Sequence, residues 1–229
     1  MELLSSRLGV VLSMFAPCEC LADIGSDHGY LITTAVQAGR ARRGIAVEIN
    51  QLPFEQTQRT VEQQGLATAV DVRLGDGLKP LQRDEADAVC IAGMGGGTIK
   101  GILSNGRDRL ESVAQLVLQP NVDAGELRAY LLQNGLVIVD EQLVADGGFI
   151  YQIIKAQPGS ELQEYNRLEL EYGRLNFKRH SDLLKQIIAR DLKHWEGILL
   201  ELTKARTEHV AVKRQQIELW MRDLKTGIW

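Results

Sequence analysis

Aromatic side chains are scarce in this sequence: four Phe, five Tyr and three Trp make up 5% of 229 residues. Its core must therefore be mostly aliphatic. Cysteine is scarcer still. Cys18, Cys20 and Cys90 are odd in number and unpatterned, which excludes a disulfide framework and fits a reducing cytosol. Cys18-Glu19-Cys20 has no convincing further pair of ligands nearby, so no metal is expected. Long apolar runs are missing, and none approaches the roughly 18–20 residues of a membrane span. The opening MELLSSRLGVVLSMF is amphipathic and lacks the basic-then-apolar order of a signal peptide. A cytoplasmic chain with no membrane partner is the expectation. An excess of basic charge is also lacking. The net charge is −4 and the pI about 5.7, which speaks against a generic nucleic-acid binder.

What is present is 45% hydrophobic residues, too many for a disordered chain, and 22 glycines unevenly spread. The charge is uneven too. Residues 1–157 carry 13 Lys+Arg against 19 Asp+Glu, and residues 158–229 carry 13 against 11, nets of −6 and +2. The change falls at the turn-forming Gln157-Pro158-Gly159-Ser160, after which glycine nearly vanishes. Two units follow: an acidic, glycine-rich domain over 1–157 and a mildly basic helical tail over 158–229.

Short aliphatic runs at Cys20–Ile24, Arg43–Glu48, Val70–Leu74, Ala88–Ala92 and Gln115–Leu118 alternate with helical stretches such as Tyr30–Gly39, Leu52–Gly65 and Thr98–Ser104. Near-continuous apolar strands spaced by helices predict a parallel sheet covered on both faces. Gly135–Leu143 and Gly148–Ala156 flank Ala145-Asp146-Gly147-Gly148, an antiparallel hairpin. The predicted fold class is α/β: a Rossmann-like class I methyltransferase sheet, parallel with a terminal antiparallel hairpin, plus a C-terminal helical, coiled-coil-like domain. In the tail, Leu184, Ile188, Leu192, Trp195, Leu199 and Leu202 form a heptad-like seam, and Ile217, Trp220 or Met221 and Leu224 continue it on a second helix. What that seam packs against, and the oligomeric state, stay open, with a monomer favoured.

In open α/β sheets ligands bind beyond the carboxyl ends of the strands. The first such loop is Asp23-Ile24-Gly25-Ser26-Asp27-His28-Gly29. Asp27 stands where a dinucleotide fold has its second glycine, and it would repel a pyrophosphate. It suits a ligand with a cationic end, such as S-adenosylmethionine; a tight turn with a solvated Asp is the plain alternative. Glu48 ends the second strand, 23 residues beyond Gly25, in the register of an acid that accepts both ribose hydroxyls. After the third strand, Asp76 in Gly75-Asp76-Gly77 can accept from an adenine amine, or simply make a turn. Three acids after three strands form a stronger constellation than any one of them. The fourth loop, Gly93-Met94-Gly95-Gly96-Gly97, lacks a P-loop ending and leaves room for a flat base, with Met94 as a wall. In the fifth, Gln119-Pro120-Asn121, two amides suit a base edge, or a Pro turn capped by Asn. His180, His194 and His209 fall in the charged tail and are expected to be solvated.

ADIGSDHGYL, VEIN, VRLGDGL, CIAGMGGGTI and LVLQPN, in that order and spacing, resemble the bacterial tRNA (adenine-22-N1)-methyltransferases over residues 1–157, and more loosely through the tail. Ile32 and Leu52 depart from the family pattern, where Pro and Gly are usual, both on scaffold. The resemblance implies methyl transfer from S-adenosylmethionine to N1 of adenine-22 in tRNA. It implies that Asp23, Gly25, Asp27, Glu48, Asp76, Gly77, Gly93 and Met94 surround the donor. Asp27, His28, Gln119 and Asn121 would serve catalysis, with Asp27 first and Asn121 second as acceptors from the adenine amine. Arg7 would face the substrate RNA, or be a solvated helix charge. The charge split, rather than the resemblance, points to Arg174, Lys178, Arg179 and Lys185, with Arg190 and Lys193, as a local patch for RNA phosphates; an ordinary mixed-charge helical surface is the plain alternative. Two readings compete: a class I methyltransferase acting on a small molecule or protein, and a non-catalytic RNA-binding module. Donor binding separates the last from both enzymes.

Overall fold

The computed structural model describes residues 4–202 and 208–226, without the side chains of 208–210. The chain divides into two compact units, Met1–Glu164 and Tyr165–Trp229. The turn expected to separate them begins on the last residues of a strand, and Gly159 N–H donates to the Gly135 carbonyl (2.9 Å) inside the first unit.

The first unit is a seven-stranded sheet. In chain order its strands are β1 (Cys18–Ile24), β2 (Ala41–Glu48), β3 (Val70–Leu74), β4 (Ala88–Met94), β5 (Gln115–Pro120), β6 (Leu136–Asp146) and β7 (Phe149–Pro158). Their spatial order is β3-β2-β1-β4-β5-β7-β6. The first five are parallel, while β7 runs antiparallel to both β5 and β6. The expected fold class is the observed one. Central strands are buried on both faces: five consecutive residues of β1 and all six of β5 are inaccessible. That is why they read as largely aliphatic runs, with Asp23, Gln115 and Gln119 as their buried polar residues.

Helices α1 (Ser6–Ser13), α2 (Tyr30–Gln37), α3 (Gln51–Gln63), α4 (Gly96–Asn105) and α5 (Ala124–Gln133) accompany the sheet. Ser5 caps α1 by accepting from Leu8 N–H. Val11 and Leu12 of α1, with Met14 and Phe15 just after it, join Val117, Val144 and Ile153 of the sheet in one core. Gly44 lets α2 approach β2: a Cβ there would lie 2.5 Å from Ile32 Cγ1. One buried ion pair ties α5 to the hairpin. Arg128 Nε donates to Glu141 Oε1 (2.6 Å) and Nη2 to Gln152 Oε1 (2.7 Å), with Arg128 and Glu141 both inaccessible.

The second unit holds α6 (Arg167–Tyr172), α7 (Arg174–Arg179), α8 (Asp182–Leu202) and α9 (Glu208–Thr226). Asn166 and Glu169 form a reciprocal capping box at α6. Helices α8 and α9 pack together, with Leu184, Ile187 and Ile188 of α8 and Ile217, Trp220, Met221 and Leu224 of α9 buried. Ile187 joins a seam in which Leu192, Trp195 and Leu199 are only half-buried. His209 lies outside the residues whose side chains are described.

Breaking a buried ion pair leaves an uncompensated charge. Arg128→Ala is expected to lose about 3–5 kcal/mol in denaturant unfolding. A loss below about 1 kcal/mol would show that Glu141 finds other compensation.

Candidate active site

Strand order reverses between β1 and β4, which opens a crevice at their carboxyl ends. A cavity of about 330 Å³ lies there, and its walls include Arg7, Asp23, Gly25, Asp27, His28 and Met94. A larger hollow of about 450 Å³, near Leu103, Tyr130 and Leu136, contains none of the candidate residues.

The turn after β1 is held by local geometry. Gly25 sits at φ 73°, and a Cβ on it would collide with Met94 Cε. Met94 is therefore a wall of this cavity. Asp27 occupies the left-handed region (φ 49°), unusual for a residue with a Cβ. Thr57 Oγ1 donates to the Asp27 carbonyl (3.1 Å), and the Asp27 N–H donates to the Glu48 carboxylate. The Asp27 side chain remains exposed, with His28 Nε2 3.8 Å from its Oδ1 and the His28 ring stacked on Tyr30.

Two carboxylates are buried here. Asp23 accepts from Ser26 Oγ (2.7 Å) and from the Cys90 thiol, and burial pushes its pKa up to about 6. Glu48 is only 5% exposed. Burial pushes its pKa up to about 7, against the Asp27 N–H and helped by the charges of Asp23 and Asp27. Among the described residues, Glu48 Oε1 is buried with no hydrogen-bond partner. Such an atom costs about 1–3 kcal/mol until something donates to it. Asp76 lies outside the cavity lining, with Lys79 Nζ 2.6 Å from its Oδ2. Gly77 beside it has φ 58°, and a Cβ there would press on Ile102 at 3.2 Å.

The end of β4 bulges at Gly93 (φ 78°). Gln119, fully buried, locks this bulge. Its Oε1 accepts from Arg7 Nη1 and from Gly93 N–H, and its Nε2 donates to Asn121 Oδ1 (3.1 Å). Asn121 Nδ2 in turn donates to the Gly93 carbonyl (2.7 Å). The expectation that Gln119 meets a base edge is corrected: its amide is inaccessible and turned to protein partners. It is a positioning residue. Asn121 stays exposed and lies outside the cavity lining. Arg7 was matched only by resemblance, and the structure gives it neighbours: its N–H donates to Asp146 Oδ2 (2.9 Å), and its guanidinium lies 5.4 Å from the Tyr151 ring. Ser26, Asp146 and Tyr151 carried no sequence signal of their own.

Within the helical unit, Lys178, Arg179 and Lys185 are exposed, Lys185 beside Asp182 (3.2 Å). Arg174 does not belong with them. It is 8% exposed, clasps Glu169 through Nε and Nη2 (2.9 and 3.1 Å) and stacks 3.7 Å from the Tyr165 ring. A guanidinium so engaged is not available to a phosphate. Burial keeps Cys18 a thiol, its pKa pushed up to about 12.

The family model for tRNA (adenine(22)-N(1))-methyltransferase matches residues 21–225. The chain belongs to that family. A tRNA (adenine(22)-N(1))-methyltransferase of Bacillus subtilis is 35% identical over 98% of this chain and 97% of its own length. The crystal structure of the B. subtilis m1A22 tRNA methyltransferase superposes with a TM-score of 0.92 at 33% identity, covering 99% of both chains. That of Streptococcus pneumoniae Sp1610 in complex with S-adenosyl-L-methionine gives 0.85 at 28% identity, covering 99% of this chain and all of that one.

Acids whose pKa is raised by folding bind more protons folded than unfolded. Asp23 and Glu48 therefore lower the stability of the ligand-free protein as pH rises from their unfolded values, near 4, through about 6 and 7. Glu48→Gln is expected to raise the melting temperature of the ligand-free protein at pH 8 relative to wild type, with the advantage fading toward pH 5. An equal shift at both pH values would contradict a titrating Glu48.

Proposed function

We propose that this chain transfers a methyl group from S-adenosylmethionine to N1 of adenine-22 in tRNA, in the cytoplasm. The observation that carries this reading is the unpartnered Glu48 Oε1, buried at the carboxyl end of β2 within the electrostatic reach of Asp23 and Asp27, two residues of the cavity wall. A carboxylate with both oxygens accepting fits a vicinal diol, and a ribose supplies one. S-adenosylmethionine, when bound, supplies a methyl group made electrophilic by its positive sulfur.

The chain's own residues do the rest. Glu48 accepts from the ribose hydroxyls, and Asp76, held beside Lys79, accepts from the donor's adenine amine. The carboxylates of Asp23 and Asp27 supply the negative field that a cationic ligand needs. Gly25, Gly77 and Gly93 keep the backbone low, and Met94 walls the cavity. Adenine N1 has a free lone pair, so no base is required before attack, and alignment is the main contribution. The methylated ring becomes cationic. Asp27, exposed on the cavity wall, accepts from the exocyclic amine and favours that charge, with the exposed Asn121 second. His28, stacked on Tyr30, helps to fix Asp27. N1 is covered by pairing or stacking in folded tRNA, so the nucleotide must turn out to reach this site. Arg7 faces it there, and Lys178, Arg179 and Lys185 of the helical unit meet phosphates.

Label from methyl-tritiated donor should appear at adenine-22 of unmodified tRNA and vanish with an adenine-22→guanine transcript. Equal labelling of both transcripts would overturn the assignment. Asp27→Ala is expected to lower kcat by about 10²-fold or more, the scale of one preorganised transition-state interaction, while tRNA still binds. Full turnover would remove Asp27 from the chemistry. Replacing Lys178, Arg179 and Lys185 by Ala should flatten the dependence of log affinity on log salt by about 1 for each phosphate no longer neutralised. An unchanged slope would take the helical unit out of RNA binding.

A further inference from the structure

The tip of the β6–β7 hairpin bears an aromatic residue that the fold does not bury. Gly147 and Gly148 (φ 57° and 82°) make the two-residue turn, so that Asp146 pairs with Phe149. Asp146 also accepts from the Arg7 N–H, and that hydrogen bond holds its carboxyl below the usual range. The hairpin tip is thereby fixed beside Arg7, whose guanidinium lines the cavity.

Alternate residues of a strand share a face. Along β7, Ile153 is fully buried in the core that includes α1. Tyr151 is half-buried, 5.4 Å from Arg7 Cζ. Phe149 is 64% exposed, its ring 6.2 Å from that of Tyr151 and tilted by 49°. The face thus climbs from core to solvent and ends in a bare ring, linked through Tyr151 to Arg7 of the cavity wall. The hairpin's register is set by its glycines and backbone ladder, neither of which uses the Phe149 ring. In a chain with four Phe, leaving one in water is informative.

We propose that Phe149, backed by Tyr151, is a stacking platform for a nucleobase of the substrate tRNA, either the turned-out adenine or a neighbour that its departure unstacks. Nucleobases lie readily on aromatic faces, whatever their identity. The inference rests on the tRNA reading above. It adds a positioning residue outside the residues that hold the donor.

The test measures tRNA affinity, KM and kcat for wild type, Phe149→Ala and Phe149→Trp, with donor affinity by calorimetry alongside. Phe149→Ala is expected to bind tRNA about 5- to 150-fold more weakly, with donor affinity intact and Phe149→Trp restored to near wild type. Stacking displaces no counterions, so the salt slope should not change. Abasic tRNAs at positions 21, 22 and 23 identify the partner. At one of them wild type should lose affinity while Phe149→Ala loses none further. Wild-type affinity in Phe149→Ala, or equal losses on all three abasic tRNAs, would overturn the platform alone. A wild-type enzyme that does not methylate tRNA would overturn the functional reading and the platform with it.

Discussion

A carboxylate withheld from water with one oxygen unpartnered is the constraint on which the rest of the site depends. Glu48 ends β2, and among the described residues its Oε1 has no hydrogen-bond partner. Asp27 beside it sits in the left-handed region, and Thr57 holds the Asp27 carbonyl from α3. The turn in turn needs Gly25, because Met94 fills the space a side chain would take. Met94 reaches that space from the Gly93 bulge, and the bulge is locked by Gln119 and Asn121. Four strand ends are thus coupled through contacts of a few ångströms. The unpartnered oxygen is the one element among the described residues that a ligand must complete.

The same logic explains what the sequence discloses and what it conceals. Strand ends were legible because β1, β2, β4 and β5 are buried on both faces and must be aliphatic, so the first polar residues after them mark loops. Asp27, Glu48 and Asp76 fall there by register alone. Burial of a polar side chain is a tertiary matter and leaves no local mark. Gln119 and Asn121 look alike as amides in QPN, yet one is inaccessible and the other is exposed. Arg174 looks like its basic neighbours, yet Glu169, five residues earlier, and the Tyr165 ring take it out of solvent. Phe149 was hidden for the converse reason: an apolar residue in an apolar strand is expected to be inside.

The overall charge is a sum of opposite demands. The first unit is acidic and places Asp23 and Asp27 in its cavity wall, and the helical unit keeps Lys178, Arg179 and Lys185 exposed. A modestly negative chain is therefore compatible with an anionic polymer as substrate, since neutralising phosphates needs a local patch rather than a basic whole.

The most direct test of the account is the number of protons released when S-adenosylmethionine binds, measured by calorimetry near pH 6.5 in buffers of different ionisation enthalpy. With the Glu48 pKa raised to about 7, the group is largely protonated in the free protein near pH 6.5, and the proposed role of Glu48 as acceptor from the ribose hydroxyls requires that proton to leave on binding. A release in wild type that disappears in Glu48→Gln is the predicted result. Binding that releases the same number of protons in both proteins would contradict it.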